Sequence, residues 1–172
     1  MDNQPKLPMP AHLAALVEAC IISARQELTR VGHIQPVAFI GHSGEMKTFI
    51  FPLEDANSKE EAMAFIRQLA ARMNADFVFT MTEAWMLKPG HTRQYQEIIE
   101  QYGSLENTPD SIECVVFMLE THTGSWFGVA EQKPLADSSG KTFGEVEMIP
   151  QKNPEGRLTG LLQSRNNGEV VH

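Results

Sequence analysis

Cysteine is scarce in this chain of 172 residues, with only Cys20 and Cys114 present. The two lie far apart in apolar stretches, and no Cys-x-x-Cys pair occurs. The sequence therefore predicts neither a disulfide framework nor a cysteine-based zinc site. Because free cysteine is among the most often buried residue types, we expect both thiols to be reduced and to lie in the core.

Positive charge is also scarce: 14 Lys and Arg residues stand against 22 Asp and Glu residues, and the formal net charge is -8. Nucleic acids and anionic membranes are bound by clustered Lys and Arg side chains, and no such cluster occurs. The longest apolar run, around residues 13–24, contains Glu18 and is shorter than the ~20 residues that cross a bilayer. The first ten residues lack the basic and apolar regions of a signal peptide. We expect a cytoplasmic protein that binds no nucleic acid, membrane or cofactor.

Local patterns predict a mixture of helices and strands. Apolar residues spaced three and four apart indicate a helix over 10–30, and a capping box beginning at Ser58 indicates a second helix that ends near Asn74. Strand-like runs occur at 36–41, 46–51, 76–88, 111–122 and 125–132. A short helix over 92–102 and an edge strand over 143–150 complete the predicted elements.

The order of these elements indicates one α+β domain over residues 9–162, with flexible termini at 1–8 and 163–172. Short connections between strands favour a mainly antiparallel sheet of five to six strands, with helices packed on one face. The element order resembles that of profilin-like and roadblock-like domains, and such folds carry many different functions.

Glu83 is the candidate catalytic residue because it interrupts the more apolar face of the run 76–88. A buried carboxylate has a raised pKa, which suits a general acid or base. Glu113 or Glu120 on the neighbouring strand is a possible second acid. The alternatives are a β-bulge near Thr82 that turns Glu83 outward, or a hydrogen bond from Glu83 to backbone N–H groups.

A second candidate site lies where strands meet turns. With a roadblock-like strand order, the turns at His42 and His122 and the strand start at Asp76 share one end of the sheet. These side chains then form a metal or acid–base cluster, or are three solvated turn residues. Residues 41–45, Gly-His-Ser-Gly-Glu, resemble a nucleophile elbow, but Glu45 replaces the second Gly of that motif. Strands rather than a strand and a helix flank the motif, so we interpret it as a hairpin turn.

The tryptophans Trp85 and Trp126 lie on predicted strands, where large aromatic side chains belong to the core or to an interface. The runs 76–88 and 111–122 are apolar on both faces. One layer of helices would not cover all of this apolar surface. A self-associating surface would bury the remainder, so we predict a homodimer.

Around Thr82-Glu83-Ala84-Trp85 the chain resembles a group of small bacterial and phage-associated proteins of undefined activity. They share a strand that starts at Asp and ends in a Glu-Ala-Trp element, followed by a Ser-Leu to Pro-Asp loop that enters a strand. The matching residues here are Asp76, Glu83, Ala84, Trp85, Ser104, Leu105, Pro109, Asp110 and Glu113. The resemblance spans about residues 36–131, and Ser111 stands where relatives often have Arg. It implies the domain and points to Glu83 and Trp85, and it implies no reaction.

The leading hypothesis is a binding module that self-associates and takes a protein partner or a small ligand. The alternative is a hydrolase or metal-assisted enzyme that uses Glu83 or the His42 and His122 cluster. A third possibility is an accessory component of a phage or other assembly.

Overall fold

A computed structural model describes residues 8–51, 56–87, 111–136, 138–151 and 161–162. The helices are α1 (Ala11–Val31) and α2 (Ala56–Met73). The strands are β1 (Val37–His42), β2 (Glu45–Ile50), β3 (Phe77–Leu87), β4 (Ser111–Thr121), β5 (Ser125–Glu131), β6 (Lys133–Pro134), β7 (Lys141–Thr142) and β8 (Ile149–Gln151).

In this part of the chain, six strands form one sheet in the order β2-β1-β3-β4-β5-β8, and every neighbouring pair is antiparallel. The strands β6 and β7 form a separate small ribbon. The predicted α+β class and its mainly antiparallel sheet are confirmed. The predicted short helix at 92–102 lies outside the described residues.

The helix α1 covers the middle of one sheet face. Its buried side chains recur at helical spacing and form a core with alternate residues of β3 and β4. These helix residues are Leu13, Val17, Cys20, Ala24 and Leu28. The helix ends at Gly32, whose φ of 80° is the left-handed conformation of a C-terminal cap. Both cysteines are free and buried, as predicted.

The helix α2 packs against the strand residues that alternate with those beneath α1. Ile66 and Ala70 of α2 share a core with Ile40 and Val78, whereas Phe79 belongs to the core of α1. Because successive strand residues point to opposite faces, the two helices cover opposite faces of the sheet. This arrangement differs from the expectation that the helices share one face. They also explain why β3 is apolar on both sides.

Two element boundaries differ from the sequence predictions. The helix α2 begins at Ala56, so Ser58 lies inside its first turn rather than at the cap. Of the predicted edge strand at 143–150, only Ile149 and Pro150 pair with the sheet, where they form β8 together with Gln151. The Arg25 guanidinium donates hydrogen bonds to the carbonyl oxygens of Phe143 and Gly144, at 3.1 and 2.9 Å. This contact holds the start of the segment against α1 instead of at the sheet edge.

Candidate functional site

The turn between β1 and β2 places two polar side chains at one end of the sheet. His42 pairs with Glu45 across a two-residue turn, and Ser43 and Gly44 have φ angles of 47° and 84°. Positive φ at both central residues is the mark of a type I′ turn. The interpretation of residues 41–45 as a hairpin turn is therefore confirmed.

Asp76 lies beside this turn because β3 runs antiparallel to β1 and begins where β1 ends. Its carboxylate accepts a hydrogen bond of 3.0 Å from the Ser43 backbone N–H. The same oxygen lies 3.4 Å from Nδ1 of His42. The carboxylate thus links the start of β3 to the hairpin.

The side chains of Ser43, His42 and Asp76 form a row. Oγ of Ser43 lies 3.2 Å from Nε2 of His42, and Nδ1 on the other side of the ring faces Asp76. A hydroxyl, an imidazole and a carboxylate in this order can activate the hydroxyl as a nucleophile. The contact between Ser43 and His42 was missed at the sequence level, since it depends on the turn conformation.

His122 lies at the same end of the sheet but makes a different contact. Its Nε2 is 2.9 Å from the carbonyl oxygen of Ala75. The structure therefore brings His42 and Asp76 together, whereas His122 faces the adjacent backbone. Among the described residues, no three His, Cys, Asp or Glu side chains converge to hold a metal ion.

A cavity of about 410 Å³ opens beside the row. It is lined by His12, Leu13, Leu16, His42, Ser43, Gly44, Glu45, Met46, Asp76 and Phe77. Gly41 has no side chain, and a methyl group there would overlap the Phe77 ring, so glycine lets this ring lie over β1. The volume falls within the range of small-ligand pockets, about 300–1,000 Å³.

Glu83 lies on the face that α1 covers, away from this cavity. The pairing of β3 with β4 runs without interruption from Phe77 to Leu87, so no bulge turns Glu83 outward. Its Oε1 accepts a hydrogen bond from the backbone N–H of Ile34, which ties β3 to the connection between α1 and β1. This is the backbone contact that the sequence left as the alternative to an acid–base role.

The surroundings of Glu83 determine its titration. Burial raises the pKa of the Glu83 carboxyl, the hydrogen bond from Ile34 opposes that rise, and the nearby charge of Glu113 adds to it. Glu113 itself forms an ion pair of 2.8 Å with Lys141 of β7. Glu120 pairs with Val78 and so points to the opposite face, away from Glu83.

The two tryptophans differ in exposure. Trp126 is 4% exposed and belongs to the core beneath α1, whereas Trp85 is 37% exposed at the far end of β3. Of the two predicted interface residues, only Trp85 has a side chain exposed enough to contact a partner.

Glu120 is a structural residue whose role the sequence did not indicate. Its Oε2 accepts hydrogen bonds of 2.9 and 3.0 Å from the backbone N–H groups of Leu161 and Leu162. These bonds hold Leu161, which is 1% exposed, in the core beneath α2. The signal was an acidic residue at the end of an apolar strand, and its partner lies 41 residues later.

Of the helices in the described residues, none combines the length and hydropathy that a membrane crossing requires. No protein-family model matches this chain, and neither a curated protein nor a solved structure matches it. The cavity at the sheet end and the surfaces that the fold leaves exposed are therefore the features that bear on function.

Proposed function

We propose that this protein is a binding module that self-associates through the edge strand β2. The observation that carries the proposal is the exposure of this strand. Met46 is 47% exposed and Ile50 is 58% exposed, and both lie on the face where α1 covers only the middle of the sheet. Among the described strands β2 has one neighbour, β1. An exposed edge of this kind is a template for pairing with another chain.

The opposite edge of the sheet is less suited to pairing. In the described residues that edge is β8, which has three residues and contains Pro150. Proline lacks the backbone N–H that a ladder needs, and short edge strands with proline discourage association. The six residues of β2 contain no proline. This contrast favours β2 as the contact between copies.

The cavity beside the turn supports the ligand-binding part of the proposal. Leu13, Leu16 and Phe77 form apolar parts of its wall, and the imidazole of His42 and the carboxylate of Asp76 provide polar groups. A small ligand with an apolar body and a polar end matches this lining. The protein would work in the cytoplasm as a dimer that takes such a ligand or a further protein partner. An accessory role in a larger assembly would instead produce high oligomers.

The variant Thr48→Pro tests self-association. Thr48 lies in the middle of β2, and its backbone N–H points away from β1, so proline there removes an outward donor and leaves the hairpin intact. We expect wild-type protein to have the molar mass of a dimer by light scattering, and Thr48→Pro that of a folded monomer. Thr48→Ala, which retains the N–H, should remain a dimer. A wild-type chain that is monomeric at all concentrations would contradict the proposal.

The row of Ser43, His42 and Asp76 favours a second candidate function, that of a serine hydrolase. In this mechanism Oγ of Ser43 attacks an ester carbonyl and gives its proton to Nε2 of His42. The leaving alcohol takes that proton, and water then releases the acyl group from Ser43. This mechanism requires neither a metal ion nor the carboxyl group of Glu83.

A fluorophosphonate probe tests this candidate, because it bonds covalently to an activated serine and releases fluoride. We expect labelling of wild-type protein, no labelling of Ser43→Ala because it lacks the attacking oxygen, and labelling about 100-fold slower for His42→Ala because it lacks the base. Ser23→Ala, which alters an exposed serine of α1, should label like wild type. Equal labelling of all four proteins would exclude the hydrolase.

A further inference from the structure

We propose that two copies of the chain pair β2 with β2 around a twofold axis at Thr48, so that each copy borders the ligand cavity of the other. This inference rests on the proposed self-association and adds its register. The hairpin determines which backbone groups of β2 point toward β1 and which point outward.

The two-residue turn makes His42 and Glu45 a hydrogen-bonded pair, and such pairs alternate along an antiparallel ladder. At the other end of the hairpin, the N–H of Phe51 donates to the carbonyl oxygen of Pro36 at 3.0 Å, which gives the same alternation. Glu45, Lys47 and Phe49 therefore direct their backbone groups toward β1. The residues that direct theirs outward are Met46, Thr48 and Ile50.

These three outward residues are symmetric about Thr48. An antiparallel pair centred there sets Thr48 opposite its own copy and Met46 opposite the partner's Ile50. All three outward residues of each chain then join the ladder, with about six backbone hydrogen bonds between the copies. An axis at Met46 or Ile50 pairs fewer of them, because one end of the strand then overhangs its partner.

The side chains suit this register. Met46, Thr48 and Ile50 share one face, and pairing covers the exposed apolar surface of Met46 and Ile50. Phe39, which is half-buried, lies next to Thr48 on this face and extends the apolar surface. On the other face, Lys47 lies opposite the partner's Phe49, so no two lysines face each other directly.

The register also brings the partner to the cavity. Met46 lines the cavity together with His42, Ser43 and Asp76. Because the partner's Ile50 lies opposite Met46, it extends the apolar wall of that cavity beyond the edge of one chain. The site of each copy is thus complete only in the dimer.

Single cysteine variants test the register. In Thr48→Cys the two introduced thiols face each other, with Cα atoms about 5.5 Å apart, which a disulfide spans. In Lys47→Cys the two Cα atoms are about 8 Å apart, which is too far. The native cysteines Cys20 and Cys114 are buried and do not compete. Under mild oxidation we expect about tenfold more disulfide-linked dimer from Thr48→Cys than from Lys47→Cys.

A mixture of Met46→Cys and Ile50→Cys chains provides a second measurement. The register predicts that the mixture forms a cross-linked heterodimer, whereas neither variant alone cross-links. If wild type is a dimer and Thr48→Cys does not cross-link, the register is overturned and self-association stands. Cross-linking of Met46→Cys alone would move the axis and overturn the register as well. A monomeric wild type would overturn both proposals.

Discussion

Glu83 stabilises the fold through a hydrogen bond, although its surroundings disfavour the charged form of its carboxyl group. Its hydrogen bond from the N–H of Ile34 fastens the connection between α1 and β1 to the middle of the sheet. Burial raises its pKa from the ordinary value of 4.5, because the charged form has lost part of its hydration. The contact requires an acceptor oxygen at this position, and it does not require a negative charge.

We predict that the stability of Glu83→Gln relative to wild type is greater at neutral pH than at acidic pH. Because the folded-state pKa is raised, the folded protein binds more protons than the unfolded chain above pH 4.5, and the stability contributed by Glu83 falls as pH rises through the folded-state pKa. Gln retains an acceptor for Ile34 and does not titrate. Urea unfolding at several pH values should show that the free energy of unfolding of the variant, relative to that of wild type, increases from acidic to neutral pH.

Glu18→Gln, which removes a charge from the exposed side of α1, controls for the change in net charge. An effect of Glu83→Gln that is the same at every pH, or a variant that loses stability relative to wild type as pH rises, would contradict this account of Glu83.

The sequence points to Glu83, His42 and Asp76 because each is polar within or beside an apolar strand. It does not distinguish between their roles, since those depend on cross-strand register. Register places Glu113 near Glu83 and sends Glu120 to the other face. The sequence offers Glu120 as a possible partner of Glu83 and does not indicate its observed partners, the backbone N–H groups of Leu161 and Leu162.

At the scale of elements, periodicity located α1 and the long strands to within one or two residues, because burial of one face imposes those patterns. It failed at residues 143–148, which precede β8 and where an alternating pattern suggested a strand. There Phe143 is buried against the α1 core, and Arg25 binds the carbonyl oxygens of Phe143 and Gly144. A contact with a helix more than a hundred residues earlier leaves no local signal.

We predict that Glu120→Ala loosens residues 161–162 and lowers the free energy of unfolding by about 2 kcal/mol, the range for a hydrogen bond to a charged group. The variant removes the acceptor of both backbone N–H groups and weakens the seating of Leu161 in the core beneath α2. Chemical denaturation measures the loss. Glu120→Gln, which retains an oxygen acceptor, should lose less, and unchanged stability of Glu120→Ala would contradict this role.

At the scale of the whole molecule, the sequence showed that β3 and β4 are apolar on both faces but not what covers them. The sequence predicts that another copy of the chain covers the second face, whereas α2 of the same chain covers part of it. The apolar surface left for a partner is therefore narrower than the composition suggested. On the face of α1 it lies along β2 and at Trp85 near the end of β3. That geometric restriction allows a single register to be proposed for the dimer.

The link between Glu120 and residues 161–162 has a consequence for synthesis of the protein. The strand β4 leaves the ribosome well before Leu161 does, and domains generally fold as their chain emerges. Until Leu161 and Leu162 arrive, the Glu120 carboxylate lacks both of those bonds and the core beneath α2 lacks one of its buried side chains. The contact thus makes full stability depend on a residue that is synthesised 41 residues after Glu120. A nascent chain released before Leu161 is added would therefore be less stable and would be cleaved more readily by proteases.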